Sequence, residues 1–152
     1  TTSQTVDGKS PQPITAPSCG PGPPLSHAIV GDVIGFAISR DGEARVALWA
    51  TGDSVLYPAI RHAARTMDVD VAIVNAGGVG FPITGPLKYT MTGADAMRLI
   101  AELRPRVAIP AHYDGWSHFR DGEMGMRTAV DSAGQAERSV IRWPPDGVAV
   151  DV

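Results

Sequence analysis

Apolar positions in this chain fall into short runs separated by polar or glycine-rich segments. Val33–Ile38 predicts a strand and Arg45–Ala50 its returning partner, with Arg40-Asp-Gly-Glu43 between them as a tight hairpin turn. Leu56, Ile60, Ala63 and Ala64 recur at helical spacing, which predicts a helix from about Val55 to Met67. Val69–Val74 is nearly all apolar, the pattern of a strand covered on both faces. A glycine-rich loop runs from Asn75 to about Lys88. Thr92 with Asp95 three residues on resembles a capping box. The helix it opens reaches Leu103, with Met97, Ile100 and Leu103 as its buried stripe. Arg106–Pro110 predicts the fourth strand, ending at His112, and a helix follows over Glu123–Ala133. Ser139–Trp143 and Val148–Val152 read as short final strands. Strands alternating with helices make the fold class α/β, with parallel pairing through right-handed crossovers and a hairpin at one edge.

The hydrophobic pattern begins only after the first 26 residues. Residues 1–26 are rich in Pro, Gly, Ser and Thr and read as an arm or disordered linker, leaving 27–152 as the folded domain. The chain has 152 residues, enough for one domain with one core. A net charge of −3 gives no electrostatic case for nucleic acid or an anionic membrane. No apolar run approaches the roughly 18 residues that span a bilayer. No basic segment followed by an apolar stretch opens the sequence. One cysteine, Cys19, excludes an internal disulfide and fits a reducing compartment, so a cytoplasmic location is expected.

Two polar groups stand just past apolar runs: Asp53 after Val46–Ala50 and His112 after Val107–Pro110. If both runs are strands, both groups emerge at carboxyl ends, where open α/β sheets place ligands and catalytic groups. A carboxylate and an imidazole there supply half of a zinc or iron site. The alternatives are an N-cap role for Asp53 and a backbone-bonded role for His112. The segment from Pro110 to Phe119 gathers His112, Tyr113, Trp116, His118 and Phe119 in one loop. Tyr113, Trp116 and His118 are candidates for the surroundings of the site, and His118 also for a helix cap. Cys19 is a further candidate thiolate or a plain free thiol, and His27 and His62 read as solvent-facing or arm residues. Residues 77–80 could cradle phosphate through backbone N–H groups or could form a loop with unusual dihedrals. No HxH, HExxH or GxSxG occurs, so nucleophilic hydrolase chemistry has no anchor.

Ala50-Thr-Gly-Asp53 and Pro110-Ala-His112, each after a strand, resemble the C-terminal half of the metallo-β-lactamase superfamily. The likeness is to the branch containing ascorbate-phosphate lactonases and N-acyl phosphatidylethanolamine phospholipase D. Tyr89-Thr-Met-Thr92, Leu103-Arg-Pro-Arg106 and the run from His112 to Phe119 are similar to a bacterial group of metal-dependent hydrolases within it. The resemblance implies that Asp53 bridges two metals and that His112 is the last histidine ligand of the second. It also implies an HxHxDH motif and one more histidine, neither of which this sequence contains; Ala16 to Pro24 stands where that histidine would fall.

The implied fold is half of an αββα sandwich, a mixed sheet with helices on one face. Such a half leaves an apolar sheet face bare, at a cost of about 25 cal/mol per Å2. A homodimer through that face is therefore expected, with two Asp53 and two His112 near its axis. A divalent metal (zinc, or iron or manganese) is expected to bind weakly to one copy. Three functional readings follow: a hydrolase-like protein whose catalysis is impaired or absent unless assembled, a lactone or phosphodiester hydrolase with a site shared across a homodimer, and a non-catalytic interaction module. A fragment completed by a different chain is a further variant.

Overall fold

The computed structural model describes residues 33–152 and the backbone of a short strand at Gln12–Ile14. The elements are β1 (Gln12–Ile14), β2 (Gly35–Ser39), β3 (Val46–Ala50), α1 (Pro58–Thr66), β4 (Val69–Asn75), a 3-10 turn (Pro82–Thr84), α2 (Gly93–Leu103), β5 (Val107–Ala111), α3 (Gly122–Ser132) and α4 (Gln135–Val140). The strands form one mixed sheet in the order β1-β2-β3-β4-β5. β1, β2 and β3 pair antiparallel, whereas β3, β4 and β5 pair parallel. The β2–β3 hairpin closes at Arg40–Glu43, where Glu43 N–H donates to the Arg40 carbonyl at 3.1 Å and Gly42 takes φ +77°. β1 lies within the segment read as an arm; the rest of that segment, with Cys19 and His27, lies outside the described residues.

Strand alternation divides the sheet into two unlike faces. On one face Ala37, Trp49, Ala72 and Ala108 align across four strands and join the core. Ile60 and Ala64 of α1, Leu99, Ile100 and Leu103 of α2, and Met126 and Val130 of α3 meet them there. The cap of α2 is the capping box read from Thr92 and Asp95, each side chain bonding the other residue's backbone N–H. Gly93 sits where an added Cβ would fall 2.7 Å from the Met126 Cα, so only glycine lets α2 and α3 approach this closely. The opposite face carries Phe36, Ile38, Leu48, Ala50, Val71, Ile73, Val107 and Ile109, none of which belongs to that core. The apolar content of Val69–Val74 therefore reflects helices on one side and this second apolar face on the other.

Two local expectations are corrected. α1 begins at Pro58, not Val55, because a residue before proline is held extended, as Tyr57 is at φ −116° and ψ 168°. The final strands do not form. Gln135-Ala-Glu-Arg138 favours helix and becomes α4, leaving Ile141 with a single parallel bridge to Ala108. Val148, Val150 and Val152 alternate like a strand but are exposed and in no ladder.

The amino ends of the parallel strands are tied by charge. Arg106 makes a two-point contact with Asp70, at 2.9 and 2.8 Å, and Arg45 reaches Asp70 at 3.0 Å and Asp68 at 3.4 Å. The hydrogen bonds from Arg106 hold the Asp70 carboxyl below its usual range. A depressed carboxylate pKa stabilises the fold above the unfolded value near pH 4 and loses that contribution as pH falls through the native value. Arg106→Ala is expected to reduce the loss of stability on going from pH 6 to pH 3, read by urea titration at each pH. In the core, Leu99→Ala is expected to cost about 3 kcal/mol in the same assay. Ile83→Ala, at a side chain 95% exposed, is expected to cost under about 0.5 kcal/mol.

Candidate metal centre

Parallel register brings three strand ends to one level, since Ala50 pairs with Ile73 and Ile73 with Ile109. Asp53 follows β3, Asn75 ends β4 and His112 follows β5. The imidazole Nδ1 of His112 lies 3.1 Å from Asp53 Oδ1, with the two side chains 35% and 55% exposed. Asn75 Nδ2 donates to the same Asp53 oxygen at 2.8 Å. Asp53 is five residues ahead of α1, so it is free of an N-cap role.

The backbone around these groups is fixed from beneath. Thr51 is buried, and its hydroxyl accepts from the Asn75 N–H at 3.1 Å and donates to the Gly52 carbonyl at 3.2 Å. Ser54, also buried, donates its hydroxyl to the Thr51 carbonyl at 3.2 Å. Gly52 turns the chain at φ +65°, where a Cβ would stand 2.3 Å from the Ile34 carbonyl oxygen. His112 itself takes φ +55°, a left-handed conformation that a non-glycine residue adopts at a cost. Ala76 N–H donating to the Ala111 carbonyl at 2.9 Å ties the β4 loop to the residue just before it.

Residues 77–80 serve as a brace. Gly78, Val79 and Gly80 donate their N–H groups to Met91 O, Thr90 Oγ1 and His118 O, so none of these three N–H groups is left for a phosphate. Gly77 accepts from the Asp121 and Gly122 N–H groups at 3.0 and 3.2 Å. A Cβ on Gly77 would meet the His112 carbonyl at 2.8 Å and the Phe119 ring at 2.9 Å.

The remaining candidates divide into two groups. The Phe119 ring meets His112 edge-on at 4.9 Å and touches His118 at 5.0 Å. His118 also contacts Phe81 and Trp116, whose ring is 68% exposed, so His118 joins an aromatic ledge beside the pair. Tyr113 turns elsewhere, edge-on to Trp143, over which the Arg127 guanidinium sits. Burial raises the Tyr113 hydroxyl above its usual pKa. Asn75 and Thr51 were not singled out from the sequence. Asn75 carried the same signal as Asp53 and His112, a polar residue closing an apolar run.

A tetrahedral ion with bonds near 2.0–2.1 Å holds neighbouring donor atoms about 3.3 Å apart. The 3.1 Å between Oδ1 and Nδ1 is close to that spacing, so a carboxylate and a neutral imidazole placed this way fit two positions on one divalent ion. Among the described residues, no group of three or more His, Cys, Asp or Glu side chains is placed to hold an ion.

Comparison with known proteins places the chain among metal-dependent hydrolases by similarity. No family model matches the chain. A UPF0173 metal-dependent hydrolase of Carboxydothermus hydrogenoformans is 31% identical over 119 residues, covering 74% of this chain and 47% of the relative. The corresponding protein of Pelotomaculum thermopropionicum is 26% identical over 112 residues, covering 74% and 44%. A "possible metal-dependent hydrolase" from Veillonella parvula superposes with a TM-score of 0.66 at 22% identity, over 82% of this chain and 46% of that one. The chain is a relative of the UPF0173 metal-dependent hydrolases. It spans about half the length of the curated relatives it matches. Its mixed sheet, with an amino-terminal hairpin and helices on one face, is the α/β arrangement expected from the sequence. No helix among the described residues is long and apolar enough to cross a membrane.

Gly77→Ala is expected to displace the His112 loop. The prediction is checked by the His112 imidazole NMR resonances, which should shift in Gly77→Ala and stay in place in Ile83→Ala, at a side chain that lies in solvent.

Proposed function

We propose that this chain carries part of the metal centre of a metal-dependent hydrolase, with Asp53 and His112 as its two ligands and no efficient catalysis from one copy alone. The observation that carries the reading is the 3.1 Å approach of His112 Nδ1 to Asp53 Oδ1 at the carboxyl edge of the parallel strands. A divalent ion held there by Asp53 and His112, zinc or else iron or manganese, would supply Lewis acidity. Asn75 orients the carboxylate by its hydrogen bond, as outer partners of metal ligands commonly do. The Phe119 ring stands edge-on against His112, and His118, Phe81 and Trp116 continue outward from it. Lactones and phosphodiesters are the substrate classes that the sequence resemblance implies for such a hydrolase. A second reading, a non-catalytic interaction module, draws on the absence of a third donor among the described residues.

Calorimetric titration separates the readings. Wild type is expected to bind zinc or manganese at neutral pH, and Asp53→Ala and His112→Ala each to weaken binding at least tenfold. Asn75→Ala is expected to weaken it less. Equal binding by wild type and both ligand variants would overturn the assignment and leave the second reading.

A further inference from the structure

We propose that the apolar sheet face joins two copies of this chain about a two-fold axis running along the strands, so that two Asp53–His112 pairs close one shared metal centre. This rests on the metal reading above and names the partner that completes it. Register defines the surface. Phe36, Ala50, Ile73 and Ile109 form one cross-strand row, and Ile38, Leu48, Val71 and Val107 the next. No charged residue interrupts either row. Phe36 and Ile38 are each 42% exposed, and Leu48, Ala50, Ile73 and Ile109 are half-buried. Val71 and Val107, at the amino ends of β4 and β5, are already buried, so the open part comprises Phe36, Ile38 and Leu48 with the row nearest the site. Contiguous exposed apolar surface on a soluble fold marks an interaction site.

The same face leads directly to the candidate ligands. Asn75 pairs with Ala111 one step beyond the Ile73–Ile109 pair, on the same side of the sheet by alternation. A sheet packed over the two rows therefore reaches Asn75, and through it the Asp53 carboxylate that Asn75 holds beside His112. Face-to-face sheets pack about 10 Å apart with strands nearly aligned. Only two kinds of in-plane two-fold axis keep the strands nearly aligned. One perpendicular to the strands sends the two carboxyl edges to opposite ends. One along the strands brings them together and supplies two carboxylates and two imidazoles, the four donors a closed zinc site takes. The charged amino ends tolerate that arrangement, because Arg45, Asp68, Asp70 and Arg106 are already paired within each copy.

The area sets the strength. Strands 4.8 Å apart at 3.3 Å per residue give β2 to β5 a face of about 19 by 17 Å. With the already buried Val71–Val107 corner left out, side-chain relief added and both copies counted, closure buries under about 1,000 Å2, the size of a weak interface. The metal-free dimer is therefore weak, and two Asp53 carboxylates repel across the axis. Metal binding and dimerisation are then coupled, each strengthening the other.

Sedimentation of the full chain over a concentration series, with and without zinc, tests the proposal together with metal analysis of the separated species. The expected result is a monomer–dimer equilibrium that zinc shifts at least tenfold toward dimer, at one zinc per two chains. Phe36→Glu and Ile38→Glu, checked for folding by circular dichroism, should be monomeric and bind zinc at least tenfold more weakly with both ligands intact. Asp53→Ala should keep the weak dimer and lose the zinc effect. Hydrogen exchange at high and low concentration reads the face without any substitution, with added protection of residues 36–39 expected in the dimer beyond that of the sheet itself. A monomer at every concentration with and without zinc, or a dimer unchanged by Phe36→Glu and Ile38→Glu, would overturn the interface. One zinc per chain would overturn the shared centre. A dimer that uses this face but binds no zinc would overturn the shared centre and the metal reading together, while supporting the interface.

Discussion

The parallel register of β3, β4 and β5 is the constraint from which the site follows. Asp53, Asn75 and His112 are separated by 22 and 37 residues in sequence, and nothing local draws them together. They meet because three neighbouring strands run the same way and stop at the same level, each closed by a polar residue. A slip of one residue in either pairing would turn a strand's side chains to the other face. It would move Ala72 and Val74 out of the core and part Asp53 from His112. The core and the site are thus enforced by the same hydrogen-bond ladders, which explains how an exposed polar pair is held at 3.1 Å without burial of its own.

Opposite ends of the sheet handle polarity differently. At the amino end Arg45, Asp68, Asp70 and Arg106 neutralise one another, and the depressed Asp70 pKa is the sign of that pairing. At the carboxyl end the group that donates to Asp53 is an uncharged amide, Asn75. An arginine in that place would compensate the carboxylate and compete with a cation for it. The neutral amide orients the oxygen while leaving its charge available. The brace at residues 77–80 acts in the same sense, because its N–H groups fix the loops and Gly77 leaves room for the His112 carbonyl.

The sequence made most of this legible through periodicity. The hairpin, the four strands from β2 to β5, α2 with its capping box and α3 followed from spacing and turn chemistry, because in each the local preference agrees with the packing. The start of α1 was legible too, since Pro58 forces Tyr57 to be extended. The apolar stripe at Leu56 outweighed it in the reading, although Leu56 packs against the core from outside the helix. The chain after Ser132 was not legible. Val140, Ile141 and Trp143 are apolar at spacings that suit helix or strand, and only the contacts of Ile141 with β5 decide. Asp53 and His112 were visible as strand ends. Their mutual approach, and the choice of Asn75 as partner, depend on register, which no single segment encodes.

The two sheet faces carry the remaining asymmetry. Small residues, Ala37, Ala72 and Ala108, line the helix side and let α2 sit close, with Trp49 filling the gap between them. The other side bears larger side chains, Phe36, Ile38, Leu48, Ile73 and Ile109, in a place where a solvated sheet would alternate to Thr, Lys or Glu. Solubility alone selects against such a surface, and edge protection does not explain it, because Ile73 and Leu48 lie on interior strands. Large apolar groups on the central strands of a face are retained where something packs on them. That face runs without interruption into a pair of metal-type donors, so the element that covers the one also bounds the other. The packing of the sheet and the completion of the site are therefore a single physical question.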